Sequence, residues 1–417
     1  MPILAVRENG RSVLIQPTFL ELVPSARPCS LYVHIPFCHA KCSYCAFFSE
    51  VPPSNGIDNL FLDRLLEEVA QVTMARSVPF ETVFIGGGNP GMLPVSFLAE
   101  LVSTITSIGS IGKPLEFSME MNPESLQDAH SLLFESGLDR LSIGIQSMQD
   151  RHLKTLGRNT DRQKNLQGLA RAKELQDTFG FRLNCDLMTC IPGQSIADAS
   201  TDIDELVDLV APDHISLYNL TVEESTPLAQ RVAGGSLVVL DEDRQADMLE
   251  SCWDRLAALG YFQYEISNFS TEKATRCLHN ERYWRLDEYV GIGPTAAGTV
   301  AMSGRSVRTT GAADIHRYTK EDAFSTYGIY PLTIAESMHE HLLMGLRTSV
   351  GIEKDAWSKR YGYRFNELFS ERIVLLERYG ERLFEDSKER FALTRAGFML
   401  LDSIVLHLSQ ALEDAPS

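Results

Sequence analysis

His34-Ile35-Pro36-Phe37-Cys38-His39-Ala40-Lys41-Cys42-Ser43-Tyr44-Cys45 carries three cysteines in the spacing Cys-x3-Cys-x2-Cys, directly after the apolar run Leu31–Ile35. Three thiolates this close on one loop form a soft-metal site, and sets of this kind hold iron–sulfur clusters or zinc. Structural zinc normally takes four protein ligands, whereas only Cys38, Cys42 and Cys45 stand together here. A four-iron cluster held by three thiolates leaves one iron without a protein ligand, and a small molecule can bind there. Cys38, Cys42 and Cys45 are therefore the expected metal ligands.

The chain has 417 residues, enough for two or three domains with a large core. Hydrophobic residues make up 44% and charged residues 23%, which is the balance of an ordinary globular protein. A net charge of -18 argues against nucleic acid as a partner, because phosphate backbone needs a basic surface. Arg7, Glu8 and Arg11 interrupt the first apolar residues, unlike the basic-then-apolar order of a secretion signal. No apolar run approaches the roughly 20 residues that span a bilayer. Eight cysteines are too few for a disulfide scaffold. With a reduced trio among them, they predict a reducing compartment, the cytoplasm. Cys29, Cys185, Cys190, Cys252 and Cys277 read mostly as small buried apolar residues.

Working outward from the cysteine loop, residues 1–30 read as an irregular lead-in with Pro17, Pro24 and Pro28. From 31 to 220 short β-rich runs alternate with stretches of helical period. The expected strands are Leu31–Ile35, Thr82–Gly86, Leu115–Glu120, Arg140–Ile145, Leu183–Met188 and His214–Tyr218. Helices are expected at Leu60–Ala75, Val95–Ile108, Leu126–Glu135, Asp161–Gln176 and Ala197–Val210. Six β-then-α units indicate an α/β fold with a parallel sheet. Six cannot close an eight-stranded barrel, so an open, incomplete β/α barrel is expected, its active face at the C-terminal strand ends. Residues 221–330 read as a mixed connecting region that buttresses the open side. Residues 331–417 have the helix-and-strand order of a small winged-helix-like module, with a β-prone segment near Arg382–Leu393. Its 11 Lys/Arg against 14 Asp/Glu disfavour a DNA-binding role.

Chemistry-bearing residues recur where these strands end. Gly86-Gly87-Gly88-Asn89-Pro90 ends the second, where glycines let backbone approach a ligand with amides free to bind it. Glu120 ends the third and can accept hydrogen bonds from a ligand hydroxyl or ammonium. Gln146 ends the fourth, suited to a ribose. Arg158 follows it by one helix and could clamp a carboxylate. Asp186, acidic within an otherwise apolar run, requires a buried partner or ligand. Downstream, Cys277-Leu278-His279-Asn280-Glu281-Arg282-Tyr283-Trp284 offers a histidine beside two aromatics. His279 could ligate haem iron with Tyr283 and Trp284 packed on a porphyrin, or be a hydrogen-bonded structural histidine.

The cysteine spacing, with Tyr44 before the last cysteine, resembles the radical S-adenosylmethionine (SAM) superfamily. With Gly-Gly-Gly-x-Pro, Ser142–Gln146, Leu156-Gly157-Arg158, Asp186 and Ser216-Leu217-Tyr218, the chain resembles the oxygen-independent coproporphyrinogen III dehydrogenase family from about Leu31 to Leu412. That family comprises the true dehydrogenases (HemN) and HemW-type relatives regarded as haem chaperones. The resemblance implies one 4Fe–4S cluster on three cysteines. It implies SAM bound by its methionine amino and carboxylate groups at the open iron, and cleavage to methionine and a 5′-deoxyadenosyl radical. The implied SAM pocket holds Tyr32, Tyr44, Gly87, Gly88, Asn89, Glu120, Gln146, Arg158 and Asp186. Three features resemble the HemW side. Ala46 and Phe47 stand where the dehydrogenase has a further cysteine, only 37 residues precede Cys38, and His279-Asn280-x-x-Tyr283-Trp284 is similar to a haem-related motif. The implied function is haem binding and delivery to acceptor haemoproteins, with His279 toward the haem. The alternative is radical oxidative decarboxylation of coproporphyrinogen III. Two residues depart from the family pattern: Asn89 replaces Thr and Cys190 replaces Gly.

Overall fold

The computed structural model describes residues 4–8, 11–15, 17–54, 56–107, 113–302, 304–379 and 382–412. Six successive strands, β1 (Ser30–Ile35), β2 (Thr82–Gly87), β3 (Glu116–Met121), β4 (Arg140–Gln146), β5 (Arg182–Thr189) and β6 (His214–Asn219), pair in parallel and in order. Odd-numbered side chains along them, among them Leu31, Val83, Phe117, Leu141, Leu183 and Ile215, are fully buried in the apolar core, while Asn219 at the end of β6 is exposed. Even-numbered residues point to the other face, because side chains alternate along a strand. That face is polar and forms the concave inside of an incomplete β/α barrel. Helices Asn59–Met74, Val95–Ser107, Arg162–Phe179 and Ile196–Val210 follow their strands. Local signals set their ends: Asp161 accepts a hydrogen bond from Lys164 N, and Ser195 and Asp198 form a capping box. Gly180 closes the longest of them in the left-handed region at φ 68°.

The helix expected at Val95–Ile108 runs Val95–Ser107, and Ile108 lies outside the described residues. The one expected at Leu126–Glu135 is reduced to Ser131–Glu135, preceded by two single turns at Pro123–Ser125 and Asp128–His130. There His130 Nδ1 accepts from Gln127 N at 2.9 Å, a side-chain bond that competes with the helical ladder. The lead-in is not wholly irregular. Leu4–Glu8 and Arg11–Ile15 form an antiparallel hairpin, and Phe19–Leu22 is a short helix whose Phe19 stacks on Phe324 at 4.7 Å.

The connecting region extends the same sheet on both edges. β7 (Phe262–Glu265) and β8 (Asn268–Ser270) add antiparallel strands beside β6. On the other edge β9 (Tyr289–Ile292) runs parallel to β1, a seventh parallel strand beyond the six units read from the sequence. β10 (Ala297–Met302), β11 (Arg305–Thr310) and β12 (Gly328–Pro331) continue from it antiparallel, for twelve strands in the order β12-β11-β10-β9-β1-β2-β3-β4-β5-β6-β8-β7. Periodicity missed β9 because it is only four residues long and lies after a helix in a Gly-rich segment.

Helices Ile334–Leu346, Lys354–Tyr361, Phe365–Leu376 and Leu401–Ser409 pack with a three-stranded sheet, Ile352–Glu353, Arg390–Leu393 and Phe384–Asp386, as the C-terminal module. Trp357, Phe365, Phe369 and Phe391 are its fully buried centre. Ile266 N donates to Arg347 O at 3.0 Å and Ser349 N to Tyr264 O at 3.0 Å, which joins the module to the β7–β8 edge.

Candidate cofactor site

At the C-terminal ends of β1 to β6 lies a cavity of about 530 Å³. Cys38, Cys42 and Cys45 line it from the loop after β1, with Tyr44 between them. Gly87 and Gly88 line it from β2, Glu120 from β3, Gln146 and Arg158 from the β4 unit, and Asp186 from β5. The loop is held by backbone bonds to two neighbours. Cys38 N donates to Glu50 O at 3.0 Å, and Ser43 N donates to Leu156 O at 2.9 Å. All three cysteines are partly buried free thiols. Among the described residues no three His, Cys, Asp or Glu side chains converge on the space of a single ion. Three thiols at the rim of one roomy cavity fit a multi-iron cluster with a small molecule beside it.

Each strand end has its own local cause. Gln146 has φ 67° at a register shift between β4 and β5, and this bulge turns its side chain into the cavity. Gly88 passes so close to the Phe37 and Ile35 carbonyl oxygens that a Cβ would collide with both. Its N–H donates to Ile35 O at 2.7 Å, and Asn89 N–H donates to Phe37 O at 2.7 Å. Gly87 N–H donates to Glu120. The glycine run therefore does not present free amides: close approach is used to tie the cysteine loop to β2 and β3. Asn89 is fully buried and does not line the cavity. Its Nδ2 donates to Ser125 at 2.8 Å, and its Oδ1 accepts from Asn122 N at 3.1 Å. It fastens the β2 loop to the turn after β3.

Arg158 spans the site. One terminal nitrogen donates to Gly144 O at 2.7 Å and Asn122 Oδ1 at 3.1 Å, and the other approaches Cys42 Sγ at 3.7 Å. Its Nε has no partner among the described residues. Burial alone would lower its pKa, but Tyr44, Cys42 and Glu124 outweigh this and hold it above the ordinary value. Burial pushes the Glu120 carboxyl up to about 7, against the Gly87 bond and with the Asp186 charge adding to the rise. Asp186 has the partners its sequence context required: Ser142 donates to it at 3.1 Å and Asn184 Nδ2 at 2.8 Å. Burial raises it all the same. Sequence reasoning missed Asn122, Tyr218 and the Leu220–Glu223 segment as lining residues. The rule that ligands gather at strand ends pointed to them, but residues past 220 read as the start of another region.

A second compartment of about 230 Å³ adjoins the first and shares Phe47, Gly87, Glu120, Asp186 and Tyr218 with it. Its wall is the even-numbered face of the sheet: Tyr32, Phe84, Ser142, Asn184, His214 and Ser216. Tyr32 thus faces the inner compartment, where its hydroxyl shares a 2.9 Å bond with His34 Nδ1, rather than the cysteine rim. Helix Leu278–Trp284 closes the floor at the opposite end of the strands. Glu116 caps it, accepting from Leu278 N at 3.1 Å and His279 N at 2.9 Å, and Glu116 itself pairs with buried Arg140 at 3.0 Å. Burial would raise the Glu116 carboxyl, and Arg140 and Arg182 overcome this to hold it below its ordinary value.

His279 lies on this floor, 1% exposed. Thr82 Oγ1 donates to Ser30 at 2.8 Å and so accepts from His279 Nδ1–H at 2.8 Å. The Nε2 lone pair then accepts the Tyr283 hydroxyl at 2.6 Å. The nitrogen that would bind iron is already used. Burial pushes the His279 pKa down to about 3, so the ring is neutral. As placed, it is a hydrogen-bonded clamp, and iron ligation would require breaking the bond to Tyr283.

A family model described as the Radical SAM superfamily matches residues 32–206, and one described as the HemN C-terminal domain matches residues 332–400. The chain is 30% identical over 381 residues to the heme chaperone HemW of Lactococcus lactis, covering 91% of this chain and 96% of that protein. The chain belongs to the HemW family of radical SAM proteins. It is 33% identical to the Radical S-adenosyl methionine domain-containing protein 1, mitochondrial, of Bos taurus, covering 91% of this chain and 83% of that one. The solved structure of coproporphyrinogen III oxidase (HemN) from Escherichia coli shares the fold, with a TM-score of 0.75 at 20% identity over 94% of this chain and 92% of that one. Membership of the radical SAM superfamily implies a 4Fe–4S cluster and SAM, and the cysteine rim and its cavity fit both. Among the described residues no helix is long and apolar enough to cross a membrane.

Proposed function

We propose that this HemW-type chain is a haem chaperone, which binds haem and passes it to acceptor haemoproteins with a 4Fe–4S cluster and SAM in support. The observation that carries the cofactor part is the single cavity that gathers three cysteines, Glu120, Gln146, Arg158 and Asp186 from separate strand ends. The haem part is supported by the HemW relatives. In this reading Cys38, Cys42 and Cys45 are the only protein ligands of one cluster, and one iron is left for SAM. Arg158 holds the SAM carboxylate, while Glu120 and Asp186 accept from its hydroxyl or ammonium groups. Gln146 orients the ribose. Tyr44, Gly87 and Gly88 shape the walls. Asn89 supports the site from behind, and Tyr32 borders the inner compartment. The bound pair supplies one-electron chemistry, and the protein orients it and shields it from water.

Phe47 stands where the dehydrogenase has its further cysteine, at the lip shared by both compartments and 70% exposed. A phenyl ring offers neither ligand nor proton there, which supports the chaperone over the dehydrogenase. The reduced thiols suit a reducing compartment such as the cytoplasm. The parts at 1–30, 31–220, 221–330 and 331–417 are taken as lead-in, SAM barrel, connecting region and winged-helix-like module. The deciding experiment is anaerobic reconstitution followed by two parallel assays. The chain should bind haem and transfer it to an apo-haemoprotein, and should form no protoporphyrinogen from coproporphyrinogen III with SAM and a reductant. Turnover to protoporphyrinogen without haem binding would make the dehydrogenase the correct reading.

A further inference from the structure

Helix Leu278–Trp284 presents its two faces to two separate spaces. His279, Asn280 and Tyr283 border the inner compartment, whereas Glu281, Trp284 and Arg285 border a cleft of about 330 Å³ on the helix's other side. The far wall of this cleft is the C-terminal module. It contributes His341 and Gly345 from helix Ile334–Leu346, and Ala356 and Arg360 from helix Lys354–Tyr361. The volume falls in the range of cofactor and small-molecule sites.

The lining combines aromatic faces, cations and an imidazole. Tyr264 and Trp284 meet edge to face at 5.8 Å between centroids. Arg276 lies 4.9 Å from the Tyr264 ring centre, reaches Glu281 only at 3.9 Å, and has an Nε without a partner among the described residues. Arg360 is exposed and donates to Leu286 O at 2.9 Å. Arg285 pairs with Glu281, Asp287 is taken by Arg282 at 3.3 Å, and Glu353 stands at the rim. Among the described residues, two guanidinium groups thus border the cleft without a close carboxylate. His341 is 9% exposed, and its ring stacks on Trp357 at 5.1 Å between centroids. Its Nδ1 has no hydrogen-bond partner among the described residues. A buried ring nitrogen left unpartnered is a cost that a native fold seldom carries without a use. The inner compartment offers no such histidine, since His279 gives its lone pair to Tyr283 and His214 has Asn184 and Tyr264 on its two ring nitrogens.

We propose that this cleft is the haem site, with His341 as a ligand to the iron, Trp284 and Tyr264 against the macrocycle, and Arg276 and Arg360 for the propionates. The assignment rests on the haem-binding reading above and adds to it a place and a ligand. It also gives Trp284 a role separate from that of His279 in the same seven-residue helix.

The test is titration of the anaerobically reconstituted full chain with haemin, read by its Soret band. His341→Ala should shift or remove the band, and added imidazole should restore it. Ala356→Trp fills the cleft from an exposed helical position and should raise the haem Kd at least tenfold. Arg360→Glu, also at an exposed position, should raise it by about tenfold, as expected for loss of one charged hydrogen bond. SAM affinity should be unchanged in all three. If the unaltered chain binds haem while His341→Ala and Ala356→Trp keep its spectrum and affinity, the cleft assignment falls and the haem reading stands. Loss of the band in His279→Ala alone would likewise overturn the cleft assignment and leave haem binding in place. Absence of haem binding by the unaltered chain overturns both.

Discussion

Arg158 stands 3.7 Å from Cys42, guanidinium nitrogen to sulfur, although 116 residues separate them in the chain. The same guanidinium binds Gly144 O and Asn122 Oδ1. One side chain thus ties the cysteine loop to the ends of β3 and β4, and places a fixed positive charge where three thiolates must gather. Replacing Arg158 with Ala should weaken SAM binding by about 1.5–3 kcal/mol, the worth of a charged hydrogen bond, measured by equilibrium dialysis on cluster-loaded protein. Lysine at this position keeps the charge but not the fork, and should recover only part of the loss. Undiminished SAM affinity in the alanine variant would remove Arg158 from the site.

The cluster assignment predicts a sharp division among the cysteines. Alanine at Cys38, Cys42 or Cys45 should abolish bound iron and sulfide after reconstitution. Alanine at Cys185, Cys190 or Cys252 should leave both at the level of the unaltered chain, because those thiols are buried in the apolar core. Stoichiometric zinc without sulfide in the unaltered protein would overturn the assignment.

Gln146 holds φ at 67°, a conformation that costs a non-glycine residue on the order of 1 kcal/mol. Gln146→Gly should relieve this strain while deleting the side chain that enters the cavity. We expect equal or slightly higher stability in urea together with weaker SAM binding. A variant that loses stability and keeps SAM affinity would show that Gln146 serves the fold instead.

The floor of the barrel depends on a buried ion pair. Arg140 and Glu116 meet at 3.0 Å, with side-chain exposures of 2% and 0%. Arg140 also donates to Thr275 O at 2.7 Å and Arg276 O at 2.8 Å, just before helix Leu278–Trp284. Arg140→Met leaves the buried Glu116 charge with only Arg182, at 3.2 Å, as a cationic partner and should cost about 3 kcal/mol in urea unfolding. The double variant with Glu116→Gln should cost less than the sum of the two single changes, since neither charge then remains unpaired.

Glu68 on helix Asn59–Met74 gives a pH dependence of definite sign. Burial raises its carboxyl to about 7, against the Tyr327, Tyr318 and Phe324 N–H bonds and the charge of Arg64. The folded state therefore holds its proton over a range where the unfolded chain, with an ordinary value near 4.3, has released it. Stability should fall as pH rises from about 4.5 to about 7 and level off above. Glu68→Gln should flatten that slope, so the difference in unfolding free energy between variant and parent should shift by on the order of 2 kcal/mol in favour of the variant from pH 5 to pH 8. A constant difference across that range would show that Glu68 is ionised in the folded protein throughout.

Each of β1 to β6 was legible to within one or two residues at either end, because the alternation of apolar and polar side chains is local and the core demands it. Cys38, Cys42 and Cys45 needed only their spacing, and Asp186 announced itself as a charge in an apolar run. Both belong to short segments whose chemistry is written in neighbouring residues. Other placements depend on contacts between segments far apart in sequence. The amides of Gly87 and Gly88 were available to a ligand as far as local sequence could say, but in the fold they meet Glu120 and Ile35 O first. Asn89 turned inward because Ser125 and Asn122 complete its hydrogen bonds. His279 and Trp284 read as one aromatic–histidine motif, yet they face different cavities because five residues carry a helix well past a full turn. Thr82 and Tyr283 decided that neither nitrogen of His279 is free, and the unpartnered Nδ1 of His341 was decided by its burial against Trp357. A side chain's neighbours in the chain set its propensity and charge. Only the packed structure supplies the partner that satisfies its polar atoms or leaves them open to a ligand.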